Sequence, residues 1–148
     1  MFCDASQNAY GACAYLRREV EDETVECRLV AGKGRVVPLK AQSICRLELM
    51  GALIAEGLAE TLVAEMAKIE KVVFWCDSTT VLHWIHQTSS NYKAFVGNRV
   101  SEIHTIKSDL EATLGAGMVS WIYVPSEYNH ADDITRGLRP AELNMGHR

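Results

Sequence analysis

The sequence predicts an α/β fold built on one mixed five-stranded sheet with helices on both faces. Three observations support this fold class. Three strand-like segments come first, which predicts an antiparallel meander. Two later strand-like segments each follow helical sequence, which predicts parallel strands joined by crossover connections. Finally, the segment "VVFWC" at residues 72–76 is apolar on both faces, which is typical of a central, covered strand.

The first three strands occupy the first forty residues. Phe2–Ala5 begins abruptly, as though a longer strand were cut short. Residues 9–19 alternate between apolar and smaller or polar side chains, and an acidic turn leads to a third strand around residues 25–31. The segment Gly32-Lys33-Gly34 lacks the spacing of a phosphate-binding loop, and we expect a turn there.

Residues 43–67 show the clearest helical pattern, with apolar residues recurring every three or four positions. These are Ile44, Leu47, Gly51, Ile54, Leu58 and Leu62. The remaining elements are a strand at 71–77, a short helix at 79–87, a long helix at 92–114, a strand at 119–124 and a helical piece from Asn129 onward. Gly115 and Gly117 are expected to end the long helix.

The composition is that of an ordinary globular domain. The 148 residues include 48% hydrophobic and 23% charged residues, the net charge is −4, and no apolar run approaches the roughly 18 residues of a membrane span. The five cysteines are odd in number and form no C-x-x-C pair. We therefore expect reduced core cysteines in an intracellular protein, and neither a disulfide framework nor a zinc site.

One carboxylate of the 43–67 helix is expected to face inward. At about 100° per residue, Glu48 lies roughly 40° from Ile44, whereas Glu56 and Glu60 point away. An inward carboxylate needs a cation, hydrogen-bond donors or a metal beside it. Pairing with Arg46 or Arg99 is the structural alternative.

Three further acids fall where they could join Glu48. Asp4 lies on the first strand, Asp77 ends the fourth strand, and residues 129–133, where the last helical piece begins, offer a further acid in Asp132 or Asp133. Acids at this density repel each other unless cations screen them, and carboxylate-rich ligation suits Mg²⁺ or Mn²⁺. Two such ions recur in enzymes that hydrolyse phosphodiesters.

Four short motifs carry a resemblance to a known family. They are Phe2-Cys3-Asp4-Ala5-Ser6 with Ala9-Tyr10-Gly11-Ala12, Arg46-Leu47-Glu48-Leu49, Cys76-Asp77-Ser78 and Asn129-His130-Ala131-Asp132. In this order they resemble the four acidic motifs of the ribonuclease H fold. Residues 33–40, 74–79 and 131–137 narrow the resemblance to the ribonuclease H domain of Pao-type LTR retrotransposon polyproteins. We therefore expect a single ribonuclease H-like domain belonging to a larger polyprotein.

The resemblance implies cleavage of the RNA strand of RNA–DNA hybrids with two Mg²⁺ ions, for which Mn²⁺ can substitute. The implied catalytic residues and metal ligands are Asp4, Glu48, Asp77 and Asp132. The implied substrate-binding residues are Ser6, Ser78, Thr79 and Asn129. Ser78 and Thr79 are equally well explained as helix-capping residues. The implied partner is the reverse transcriptase domain of the same polyprotein, in the cytoplasm or nucleus.

The motif also selects between two neighbouring acids. Its carboxylate directly follows Ala131, which favours Asp132 over Asp133. Ile134 and Leu138 are expected to pack inward, which leaves Asp133 facing solvent or pairing with Arg136 or Arg139.

The chain departs from the family pattern in two ways. Many relatives carry a histidine after the last strand, where this chain has Glu127. Proline is usual at His130 and common at Cys45, and neither position has it. We expect these changes to leave the geometry of the acids intact and to affect the rate of turnover instead.

Two alternatives remain open. An integrase- or transposase-type nuclease of the same fold would use Asp4, Asp77 and Glu111, but it leaves Glu48 unexplained. The other alternative is a catalytically inert ribonuclease H-like module that stabilises its polyprotein or mediates its interactions.

Overall fold

A computed structural model of the chain describes residues 1–137. Its strands are β1 (Phe2–Ala5), β2 (Ala9–Val20), β3 (Thr24–Val36), β4 (Val72–Cys76) and β5 (Val119–Tyr123). They form one sheet in the order β3-β2-β1-β4-β5. The pairs β1–β2 and β2–β3 are antiparallel, whereas β1–β4 and β4–β5 are parallel. This arrangement confirms the predicted mixed sheet.

Four α-helices accompany the sheet in the described part of the chain. They are α1 (Ile44–Glu65), α2 (Thr79–Ile85), α3 (Ala94–Leu114) and α4 (Asp132–Arg136). The Ser43 side chain caps α1 by accepting a hydrogen bond from the Arg46 amide. Gly115 ends α3 with a φ of 115°, a conformation that favours glycine. Gly117 follows with a φ of 76°, so the predicted end of this helix is confirmed.

The pairing register shows that the helices cover both faces of the sheet. Cys3 pairs with Ala12 and with Cys76, and all three belong to the core that α1 and α3 cover. Asp4 pairs with Gly11, one residue further along each strand, so both face the other way. The side chain of Ile134 from α4 packs against Gly11 on that second face.

The third strand is longer than predicted, and the expected turn at Gly32–Gly34 was wrong. Both glycines lie inside β3 and pair with Cys13 and Gly11 of β2. A Cβ atom at Gly34 would stand 2.9 Å from Cγ2 of Ile134, and one at Gly11 would stand 3.0 Å from the same atom. The glycines therefore form a flat surface, here called the glycine floor, on which Ile134 packs. In the sequence, closely spaced glycines also indicate a turn, which explains the wrong prediction.

The inward face of α1 was predicted in the wrong orientation. Ile44 is 40% exposed, whereas the buried residues are Leu47, Leu49, Gly51, Ala52, Ala55, Glu56 and Ala59. This face centres near Ala52, about 80° around the helix from Ile44. Small side chains let α1 lie close to the sheet, and larger aliphatic residues flank the contact. Glu56, predicted to point away, is fully buried, while Glu60 is exposed as expected.

The five cysteines are reduced, and most lie in or near the core. Cys3, Cys13 and Cys76 are buried, and Cys45 is half-buried. Cys27 is exposed on β3, so the prediction of a core position was wrong for this residue. Within residues 1–137, no helix has both the length and the apolar character needed to cross a membrane.

Candidate active site

The first two acids meet because β1 and β4 are parallel neighbours. Cys3 pairs in register with Cys76, so the following residues, Asp4 and Asp77, extend the same side-by-side arrangement at the carboxyl end of the strands. Adjacent strands lie about 4.8 Å apart. Asp4 is 8% exposed and Asp77 is half-buried. The carboxylate of Asp77, directly after the apolar strand β4, thus lies at the same end of the sheet as Asp4.

A glycine brings the third acid to the same edge. At Gly51 on α1, a Cβ atom would stand 2.8 Å from the Asp4 carbonyl oxygen and 3.3 Å from that of Gly11. Any side chain there would push the helix away from the sheet, because backbone atoms cannot yield as a flexible side chain can. Glu48 lies three residues before Gly51, on the same face of the helix and nearer its amino end.

The fourth acid arrives on α4, which polar side chains tie to β1. The fully buried Asn129 donates from Nδ2 to the Cys3 carbonyl oxygen (2.9 Å) and accepts from the Ala131 amide (3.1 Å). Ser6 donates from Oγ to the Thr135 carbonyl oxygen (2.7 Å), and Thr135 donates from Oγ1 to Oδ2 of Asp4 (2.5 Å). Asp132 begins this tethered helix.

The pKa values of Asp4 and Glu48 are shifted by burial and by the neighbouring acids. Burial raises the pKa of Asp4, the hydrogen bond from Thr135 lowers it, and the charges of Asp77 and Asp132 raise it. Burial also raises the pKa of Glu48, hydrogen bonding to Ser78 lowers it, and the charges of Asp77 and Asp4 raise it. Asp4 is therefore repelled by Asp77, Glu48 and Asp132 at the end of the sheet, and Glu48 is repelled by Asp77 as well.

Basic side chains compensate little of this repulsion. Among residues 1–137, the ion pairs within 4.0 Å include none to Asp4, Glu48 or Asp77. The alternative partners predicted for Glu48 are engaged elsewhere, since the guanidinium carbons of Arg46 and Arg99 lie 4.7 and 3.6 Å from the centre of the Phe95 ring. Both arginines thus make cation–π contacts.

Asp132 differs from the other three acids. Its Oδ1 accepts from Nε of Arg136 at 2.7 Å, one helical turn away. Arg136, one of the partners expected for Asp133, thus pairs with Asp132. Asp133 is half-buried, and Ile134 packs inward as predicted. The companion predictions for Leu138 and Arg139 lie outside the described residues.

The donor chemistry of this site fits a hard divalent cation, although the side chains are not closed around one point. Carboxylate oxygens that repel one another are suitable ligands for Mg²⁺ or Mn²⁺. Within the described range, however, no three histidine, cysteine, aspartate or glutamate side chains are arranged to hold one ion. For Oδ1 of Asp132 to ligate an ion, it would have to release Arg136.

The residues predicted to bind substrate occupy different environments. Ser78 is buried and caps α2 by accepting from the Val81 amide (3.2 Å), while Thr79 is exposed beside it. Ser6 accepts from the amides of its own turn and Asn129 bridges α4 to β1, so both side chains serve the architecture of the site. Their contact with substrate stays a prediction.

The contacts of two buried polar residues were not predicted from the sequence. Thr135 reaches Asp4 from a helix 131 residues away, and no local periodicity signals such a contact. Glu56 accepts a hydrogen bond from the Trp121 indole at 2.8 Å inside the core. The signal that could have located Glu56 is the set of alanines on α1, which marks the inward face better than the large aliphatic residues do.

Comparison of the sequence with protein families identifies a known domain. The family model described as the Pao retrotransposon-like RNaseH-like domain matches residues 1–78, which is more than half of the chain and includes Asp4, Glu48 and Asp77. The chain belongs to this family. No curated protein matches it. Asp132 lies beyond the matched residues, so its place in the site rests on the structure and on the motif around it.

The topology of this Pao-type domain removes Glu111 from the site. Glu111 lies in the last turn of α3, and only residues 115–118 separate that helix from the start of β5. Because β4 and β5 are parallel, the start of β5 is at the edge opposite to Asp77. An integrase-type trio of Asp4, Asp77 and Glu111 would have to span the length of the sheet.

Proposed function

We propose that this domain is a Mg²⁺-dependent ribonuclease that hydrolyses the RNA strand of RNA–DNA hybrids. The observation that supports this most is the convergence of carboxylates from four separate elements, with no basic partner for Asp4, Glu48 or Asp77 among residues 1–137. A protein does not gather partly buried carboxylates without compensation, and divalent cations provide it. Membership of the RNaseH-like family supports the substrate class.

In this proposal the protein presents its oxygens in a fixed arrangement. Asp4, Glu48, Asp77 and Asp132 would hold two divalent ions, which when bound activate a water molecule and stabilise charge developing at the scissile phosphate. The sheet fixes Asp4 and Asp77, and close packing at Gly51 holds Glu48 near them. The exposed Thr79 would contact a phosphate or a 2′-hydroxyl of the RNA strand.

The proposed partners follow from charge and family. A net charge of −4 gives the isolated domain little electrostatic affinity for nucleic acid. We propose that the reverse transcriptase domain of the same polyprotein supplies hybrid binding, inside the cell. Addition of that domain should then lower the KM for hybrid more than it raises kcat.

The test compares labelled RNA–DNA hybrid, RNA duplex and DNA duplex, each with Mg²⁺, Mn²⁺ or chelator. We expect cleavage of the RNA strand of the hybrid with Mg²⁺ or with Mn²⁺, and no cleavage in chelator. Asp77→Asn is the matched control for a contaminating nuclease. Cleavage that persists in chelator or in this variant contradicts the proposal.

The second candidate is an inert module of the same fold. The observation in its favour is the pairing of Asp132 with Arg136, together with the open arrangement of the acids in the described residues. Calorimetric titration with Mg²⁺ separates the candidates. An inert module should show no binding that depends on Asp4, Glu48 or Asp77, whereas the ribonuclease should lose binding when any of them is replaced.

A further inference from the structure

We propose that Thr135 is a positioning residue that fixes the carboxylate of Asp4 for metal binding. This inference rests on the proposed function. Thr135 lies on α4 and is 1% exposed. Its hydroxyl joins α4, which carries Asp132, directly to the carboxylate on β1. It therefore couples the positions of two proposed ligands.

Distances show which oxygen receives the single hydroxyl proton of Thr135. Oδ2 of Asp4 lies 2.5 Å from Oγ1, whereas the carbonyl oxygen of Asp132 lies 3.2 Å away. Charge-assisted O–H···O⁻ hydrogen bonds have lengths of about 2.5–2.7 Å, so the proton is directed to Asp4. Because Asp4 is only 8% exposed, water has little access to replace this donor.

The hydrogen bond matters because an aspartate carboxylate rotates easily. The terminal torsion of aspartate is broad, so packing alone does not choose the direction of its two oxygens. The Ala5 amide also hydrogen-bonds this carboxylate, and the Thr135 hydroxyl held against Oδ2 adds a second donor that restricts where the two oxygens point. Carboxylates that ligate metals are commonly oriented by such hydrogen bonds.

The donor is itself held firmly in place. Ser6 donates to the Thr135 carbonyl oxygen at 2.7 Å, which ties the same residue to the loop after β1. The preceding residue, Ile134, rests on the glycine floor at Gly11 and Gly34. The hydrogen bond from Ser6 and the packing of Ile134 thus hold the backbone of Thr135 in place, which limits the movement of its hydroxyl.

The test separates orientation of Asp4 from simple packing. Thr135→Val keeps the branched shape and removes the donor, while Thr135→Ser keeps the donor and removes a methyl group. Thr61→Val is the matched control, because Thr61 is an exposed helical threonine about 20 Å along α1 from Glu48. For each variant, Mg²⁺ affinity is measured by calorimetry, metal-free stability by thermal unfolding, and hybrid cleavage as a function of Mg²⁺ concentration.

We expect Thr135→Val to weaken Mg²⁺ binding by about 10–100-fold and to shift cleavage to correspondingly higher Mg²⁺. Thr135→Ser should remain within about threefold of wild type, because it restores the same donor. Thr61→Val should change neither quantity. If Thr135→Val does not fold, Thr135→Ala replaces it in the comparison with Thr135→Ser, since both lack the methyl group and only serine donates.

Unchanged Mg²⁺ affinity in the variant without the hydroxyl would overturn the inference, even if that variant melts at a lower temperature. Equal loss in the serine and alanine variants would also overturn it, because packing would then explain both. If the wild-type domain binds no Mg²⁺ and cleaves no hybrid, the proposed function fails together with the inference. If the wild type binds Mg²⁺ and cleaves hybrid, and the variant without the hydroxyl does both equally well, only the role of Thr135 is refuted.

Discussion

The buried carboxyl of Glu56 should make the stability of this domain depend on pH. The pKa of Glu56 is raised from 4.5 to about 7, chiefly by burial; the Trp121 hydrogen bond and the charge of Lys107 oppose this rise, and the charge of Glu60 adds to it. One oxygen accepts from the indole, while Oε2 has no hydrogen-bond partner among the described residues. The neutral acid is therefore the form that the folded protein favours.

The sign and size of the effect follow from proton linkage. The folded protein binds this proton more tightly than the unfolded chain, so its contribution to stability is complete below pH 4.5 and is lost as pH rises through about 7. A difference of about 2.5 pH units corresponds to about 3.4 kcal/mol. Between about pH 5 and about pH 8, the expected loss in the free energy of unfolding is about 2.5 kcal/mol.

Glu56→Gln tests this reasoning, because glutamine can accept from Trp121 and does not titrate. The free energy of unfolding is measured by urea denaturation between about pH 5 and about pH 8 for wild type, Glu56→Gln and the exposed control Glu60→Gln. Stability relative to wild type should rise with pH by about 2.5 kcal/mol for Glu56→Gln and stay nearly constant for Glu60→Gln. Parallel pH curves for wild type and Glu56→Gln would refute the argument.

The other predictions concern the site. Asp77→Asn and Glu48→Gln should abolish hybrid cleavage yet leave metal-free thermal stability unchanged or higher, because one repelling charge is removed; a large drop in melting temperature in chelator contradicts this. Asp132→Asn should reduce the cleavage rate on the order of a hundredfold, far more than Asp133→Asn does. Asp133→Asn should lower the free energy of unfolding by at most about 1 kcal/mol. Equal losses of cleavage rate in the two variants would show that Asp132 is not the fourth ligand. Gly51→Ala should destabilise by about 1–3 kcal/mol, because its Cβ would stand 2.8 Å from the Asp4 carbonyl. Gly57→Ala on the same helix has nothing within 4 Å of its Cβ and should be neutral or stabilising by up to about 1 kcal/mol. The free energy of unfolding of both variants is measured by denaturant titration, and equal changes would contradict the close packing of α1 against the sheet at Gly51.

The sequence predicted the order and type of the main elements because their signals are local. The apolar strand ending in Asp77 and the motif around Asp4 needed only alternation and composition to be recognised. The inward face of α1 was missed because Ala52, Ala55 and Ala59 carry a weak hydrophobic signal, although their small size decides how close the helix lies.

Contacts that depend on the assembled sheet could not be predicted from local patterns. The glycines of β3 resemble a turn until Ile134 is seen to rest on them. The hydrogen bond from Thr135 to Asp4 joins residues at opposite ends of the described chain, so periodicity carries no information about it. The shared edge for the acids could be inferred, whereas the hydrogen bonds that orient them could not.

The attachment of α4 has a consequence for when the site forms during synthesis. Its hydrogen bonds to β1 and the following loop join residues 126, 129 and 131 positions apart, which are among the longest sequence separations in the described chain. Contacts of such high contact order form after local ones, because the intervening chain must first be closed. We therefore expect a nascent chain to place three acids early and to gain the fourth only when residues 129–136 have left the ribosome. A chain synthesised in this order would hold an incomplete set of the four acids until the domain is fully made.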